Sequence, residues 1–163
     1  MHVQAVSRVK FIMNNLSVSN CEHKKSELDG VLSDEHWPWF ADYLVVTRAA
    51  QEPNFHDLYL QLLQMLDRKR VWDLLTTITY KYIRILLESE RVKTVAGERS
   101  LLRNLGSWLG RLTIQRNKMV LFRQLDLKSI LYQVTCSQVF LLQELHHSSN
   151  LHVTVSYPAI TST

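Results

Sequence analysis

The sequence predicts an all-α fold. Two observations carry that prediction. Only four glycines and three prolines punctuate 163 residues, whereas strand-rich folds need many more turns. Apolar residues also recur at three- and four-residue steps along most of the chain, the spacing that gathers them on one helix face. No alternating strand pattern competes with them before Val153.

The elements follow in order. Val3, Val6, Val9, Met13 and Leu16 mark a first amphipathic helix. Ser19 or Asn20 can cap a second, running through Leu28, Val31 and Leu32, because a short polar side chain accepts the free N–H groups of a first turn. A third begins near Glu35, with Pro38 in its first turn, where a missing N–H costs little. Its buried side is Trp37, Phe40, Tyr43 and Leu44. Pro53 and Asn54 open a fourth, with Phe55, Leu58, Tyr59, Leu62 and Leu66 on one face. A fifth runs from about Arg70 to Glu88, with Val71, Leu74, Leu75, Ile78, Tyr82, Ile85 and Leu86 inward. A sixth occupies Arg99 to Lys118, and a seventh starts near Asp126 with Leu127, Ile130, Leu131 and Val134. Such a series packs either as a bundle or as a stacked array of helix pairs.

Hydrophobic content of 46% and charged content of 21% describe a globular chain. The net charge of +4 permits an anionic partner without requiring one. Two cysteines, Cys21 and Cys136, provide no disulfide framework and suggest a reducing compartment. The N-terminal stretch MHVQAVSRVKFIMNN lacks the continuous apolar core of a secretory signal. No apolar run approaches the ~20 residues of a membrane span.

Catalytic motifs are missing: there is no P-loop, G-x-G-x-x-G, G-x-S-x-G or H-E-x-x-H. Cys21 and His23 are poorly spaced for zinc, and adjacent His146 and His147 diverge on a helix. The expectation is a protein without enzymatic activity, metal or cofactor.

The stretch RSLLRNLGSWLGRLTIQRNK carries Gly106 and Gly110 in mid-helix. Each glycine costs a helix roughly 0.8–1 kcal/mol against alanine. Their four-residue spacing puts both on one face, where another backbone can approach closely. The neighbour is expected to be an adjacent helix, with a bound partner as the alternative. The same stretch begins a run with seven basic residues and one acidic residue between Arg99 and Lys128. Arg99, Arg103, Arg111, Arg116 and Lys118, continued by Arg123 and Lys128, make a candidate basic patch for RNA phosphates or an acidic protein edge. A solvated helix face is the commoner outcome for such a run.

The blocks HWPWFADYLV, RAAQEPNFHDLY and RSLLRNLGSWLG are unusual in composition and stand in that order. Through them the chain resembles the central helical-repeat domain of the Not-one scaffold family of the CCR–NOT deadenylase complex, a domain of the class named after the middle domain of eIF-four-G. The resemblance covers about residues 7–132. It implies a HEAT-like array of antiparallel helix pairs without catalytic activity. It also implies docking of a Caf-type deadenylase subunit, a DEAD-box RNA helicase and other subunits of the complex, with RNA met mostly indirectly and no membrane contact. A cytoplasmic location in processing bodies, with a nuclear one also open, goes with it. Related middle domains that bind DEAD-box helicases carry a Glu-Pro-Asn-Phe block. The polar cluster Arg48, Glu52, Asn54 and His56, with Phe55, is therefore the candidate helicase surface. Pro53, Phe55 and Leu58 are enough to explain the helix start by itself.

From Val134 to Thr163 there is one formal charge, Glu144, while the preceding residues hold all 19 basic residues. The expected organisation is a helical-repeat domain at 1–133, truncated at its C-terminus, a divergent helical extension at 134–147 and a disordered tail at 148–163.

Overall fold

The computed structural model describes residues 3–120 and 124–126, and these hold helices and no strands. The expected seventh helix and the residues after it lie outside the described residues, as do Arg123 and Cys136. The first helix, α1 (Val3–Asn14), buries Val9, Ile12 and Met13. It gives way to a 3-10 turn at Val18–Asn20, where Ser17 and Asn20 cap each other: the Ser17 N–H donates to Asn20 Oδ1 at 2.9 Å. Helix α2 (Cys21–Asp29) follows directly. The same device recurs before α3 (Trp37–Tyr43), where the Ser33 N–H donates to His36 Nδ1 at 3.1 Å.

Helix α3 continues without a break into a π-helical segment, Leu44–Ala49. A 3-10 turn at Pro53–Phe55 then leads into α4 (His56–Leu66). Asp67 stops α4 with φ 46°, a left-handed conformation that Asp tolerates better than bulkier residues. Helix α5 (Lys69–Glu88) is the longest. A one-turn helix, α6 (Arg91–Thr94), precedes α7 (Ala96–Leu112), and a last 3-10 turn spans Ile114–Arg116.

Packing follows second neighbours. Helix α2 lies on α4, α3 lies on α5, and α5 lies on α7, while α1 packs on α2 and α6 on α7. That pattern is what stacked helix pairs produce, like helices on like, and it makes the molecule a HEAT-like array. One continuous core joins the layers through Phe40, Leu44, Tyr59, Leu62, Leu75, Ile83 and Trp108.

Three expectations need correction. The fully buried face of α5 is Val71, Trp72, Leu75, Thr79, Tyr80 and Ile83; the expected Leu74, Ile78, Tyr82 and Leu86 pack half-buried against the core beside it, and Ile85 is 48% exposed. The helix is turned by about one residue from the expected phase, because Thr79 and Tyr80 count as polar in a periodicity yet lie inside. Thr79 can do so because its hydroxyl donates to the Leu75 carbonyl at 2.7 Å. The sixth predicted helix ends at Leu112, not Lys118, and Thr113 Oγ1 donates to Leu109 O at 2.6 Å at that end. Phe55, expected on the buried face of α4, is 48% exposed.

Candidate functional site

The polar cluster singled out in RAAQEPNFHDLY divides into an inner and an outer part. Arg48 belongs to the inner part. It sits on the π-helical segment, and its guanidinium reaches back to the end of α1. Nη1 donates to Asn14 Oδ1 at 2.9 Å and Nη2 to the Met13 carbonyl at 3.4 Å. Nε donates to the Tyr59 hydroxyl at 3.2 Å, and Nη2 pairs with Glu52 Oε2 at 3.1 Å. The Tyr59 hydroxyl in turn donates to Glu52 Oε2. Burial, followed by that bond to Glu52, pushes the Tyr59 phenol well above its usual range. One guanidinium thus clasps α1, the π-helical segment, the following turn and α4.

His56 is also internal, at 1% exposure. Its Nε2 lies 2.8 Å from the Ala49 carbonyl. A carbonyl only accepts, so Nε2 carries the proton and Nδ1 is a bare acceptor. Nδ1 is buried without a partner, and the ring stands 5.1 Å from that of Trp108. Burial is the main reason its pKa falls to about 4, with the nearby Arg111 charge adding to the effect. The neighbouring carbonyl, Ala50 O, accepts from Asn104 Nδ2 of α7 at 2.7 Å. The π geometry sets this up: the Ala50 N–H turns back to Val45 O at 2.9 Å, and two carbonyls at the helix end are left for side chains.

The outer part is smaller. Asn54 and Phe55 are exposed on the Pro53–Phe55 turn, and Phe55 leans on Tyr59 with ring centroids 6.2 Å apart. Glu52 lies at the rim, half-buried beneath them. Sequence reasoning missed Asn14, Tyr59 and Asn104 as partners of this cluster; Tyr59 and Asn104 lie in two of the quoted blocks, but nothing local to Asn14 marks it.

The candidate basic residues reach different elements. Arg99 donates to the Val92 and Lys93 carbonyls at 3.5 and 3.2 Å and so closes α6. Arg111 pairs with Asp57 on α4. Arg116 lies over Trp72 of α5, its Cζ 3.5 Å from the ring centroid. Lys118 stands 3.7 Å from Asp73 of α5. Arg103 is exposed on α7. Gly106 and Gly110 are both buried, so their face of α7 is covered and is no open docking surface. Among the described residues, no group of three His, Cys, Asp or Glu could hold a metal, and no helix is long and apolar enough to cross a membrane.

The described residues form a stacked helical array held together by internal polar clasps. Residues 2–142 match the model of the family described as the CCR4-NOT transcription complex subunit 1 CAF1-binding domain, and the chain belongs to that family. It is 41% identical over 134 residues to the CCR4-NOT transcription complex subunit let-711 of Caenorhabditis elegans, covering 78% of this chain and 5% of that protein. It is 30% identical over 128 residues to the general negative regulator of transcription subunit 1 of Saccharomyces cerevisiae, and 31% over 125 residues to that of Schizosaccharomyces pombe. Those matches cover 78% and 77% of this chain and 6% of each yeast protein. The chain therefore spans about a twentieth of the length of these relatives. The family match runs on past Gln133, where the resemblance read from the sequence stops.

Proposed function

We propose that this chain is a non-catalytic docking scaffold that holds a Caf1-type deadenylase within a CCR4-NOT complex in the cytoplasm. The observation that carries the reading is the match of residues 2–142 to a family described by its binding of CAF1. The stacked helix pairs support it, since such arrays present extended surfaces built from many helices. Immobilised chain should retain a purified Caf1-type deadenylase, and the chain alone should leave poly(A) intact. A folded chain that fails to retain the enzyme would contradict the reading.

The finer reading is a middle-domain fold of the eIF-four-G class with a second docking site for a DEAD-box helicase. The exposed Asn54 and Phe55 support it, because both side chains reach solvent on the turn, Phe55 at 48% exposure. Arg48 and His56 then serve that surface from beneath, by fixing the turn that carries it. Phe55→Ala should lower helicase affinity by about tenfold, as expected for an aromatic interface residue, and leave deadenylase binding unchanged. Equal loss of both partners, or of neither, would remove the helicase from this turn.

A further inference from the structure

The short connection between α5 and α7 sets basic residues around one exposed hydroxyl. In Arg91, Val92, Lys93, Thr94 and Val95, an arginine stands three residues before a threonine, a lysine directly before it and an apolar residue directly after it. Nowhere else in the 163 residues does a serine or threonine follow an arginine by three positions. This is the pattern an arginine-directed Ser/Thr kinase reads. Carboxylates in its substrate groove take the basic side chains, and an apolar pocket takes the residue after the acceptor, so the charge pattern selects the substrate.

The structure offers each part of the pattern to solvent. The Arg91 and Lys93 side chains are 73% and 49% exposed, Val95 is 37% exposed, and Thr94 itself is exposed. Thr94 Oγ1 donates to the Arg91 carbonyl at 3.5 Å, the long limit of a hydrogen bond, so the hydroxyl is loosely held. Arg91 meets Glu98 at 2.8 Å and Lys93 meets Glu90 at 2.9 Å. Pairs made by such exposed cations contribute only about 0–1 kcal/mol, so the carboxylates of a kinase groove can replace them.

A kinase groove takes extended chain, and α6 is a single turn set between residues that are already extended: ψ is 123° at Ser89 and 113° at Val95. The turn is closed by the Val95 N–H on the Arg91 carbonyl at 2.7 Å and the Lys93 N–H on the Glu90 carbonyl at 3.2 Å, and Val92, at 1% exposure, anchors it. One turn has almost no helical stability of its own, so it opens locally at far less cost than the whole fold. We infer that Thr94 is a phosphorylation site for an arginine-directed Ser/Thr kinase. Thr94 Oγ1 attacks the γ-phosphorus of magnesium-bound ATP, the bond from that phosphorus to the β,γ-bridging oxygen breaks, ADP leaves, and the hydroxyl proton passes to the kinase's base. The product replaces a neutral hydroxyl by a charge of about −1.5 to −2. It stands beside Arg91 and Lys93, where Arg99 also reaches the Val92 and Lys93 carbonyls. The inference is independent of deadenylase docking.

The full chain, incubated with the catalytic subunit of cyclic-AMP-dependent protein kinase and magnesium-ATP, tests it, with mass spectrometry locating the phosphate. Phosphate should appear on Thr94, and Thr94→Val should remove it. Arg91→Gln should lower kcat/KM by about tenfold or more, because the kinase loses a charged partner. Arg91→Lys should recover part of that rate. Arg68→Gln, at an exposed arginine with no hydroxyl residue three positions on, should be phosphorylated as the parent is. All variants should unfold at the parental urea midpoint, which separates lost recognition from lost folding. A folded chain that takes no phosphate on Thr94 overturns the inference, and so does an Arg91→Gln variant modified at the parental rate. Phosphate that reaches Thr94 only after urea has unfolded the chain overturns it too, because α6 would then be closed to a kinase in the native protein.

Discussion

Arg48 does the work of a cross-link in this chain. Its partners, Asn14, Met13, Glu52 and Tyr59, come from α1, the turn before α4, and α4 itself. Arg48→Ala should destabilise the protein by about 2–4 kcal/mol, read as a lower urea midpoint, because charge-assisted bonds at half-buried sites are lost together. Arg48→Lys should recover only part of this, since an ammonium cannot reproduce the planar fork. His56 predicts a pH dependence. Its pKa is about 4 in the folded state against about 6.5 in an unfolded chain. Between those values the unfolded state binds the extra proton, so stability is full above pH 6.5 and falls as pH drops toward 4. The loss reaches about 3 kcal/mol, and His56→Gln should abolish most of that slope. The sequence marks Arg48, Glu52 and His56 as polar residues that a helix start does not need. It cannot show what they bind, because Asn14 lies 34 residues from Arg48, and Ala49 meets His56 only after the chain has turned.

Helix α5 shows how far periodicity reaches. Its existence and length are legible, but its phase only to within about one residue, because the fully buried stripe includes Thr79 and Tyr80 while Leu74, Ile78, Tyr82 and Leu86 pack half-buried beside it. The two phases make opposite predictions. Ile83→Ala removes a side chain at 0% exposure and should cost about 2–5 kcal/mol. Ile85→Ala acts at the surface and should change stability by less than about 1 kcal/mol. Similar losses at both positions, in thermal or urea unfolding, would return α5 to the phase expected from sequence. Helix α6 escapes periodicity altogether, since four residues are too few to display one. The π-helical end of α3 escapes it for another reason. It depends on tertiary bonds from His56 and Asn104 to the carbonyls it frees. The glycines of α7 are both buried.

At the scale of the whole molecule, the second-neighbour packing of α2 on α4 and of α3 on α5 makes the chain a stack of helix pairs. The clasp around Arg48 and the carbonyls capped by His56 and Asn104 tie that stack together from α1 to α7. The Pro53–Phe55 turn lies on the outer surface. Fold class and family were legible because helix periodicity is local and each of the three blocks of unusual composition is a continuous stretch of sequence. The division of one block into internal and external residues was not legible, because it arises only when distant helices meet. The measurement that tests the docking reading most directly is a calorimetric titration of this chain with a purified Caf1-type deadenylase, its fold checked by circular dichroism. Saturable one-to-one binding, with a raised melting temperature for the complex, is the predicted result. A folded chain that takes up no deadenylase would contradict it.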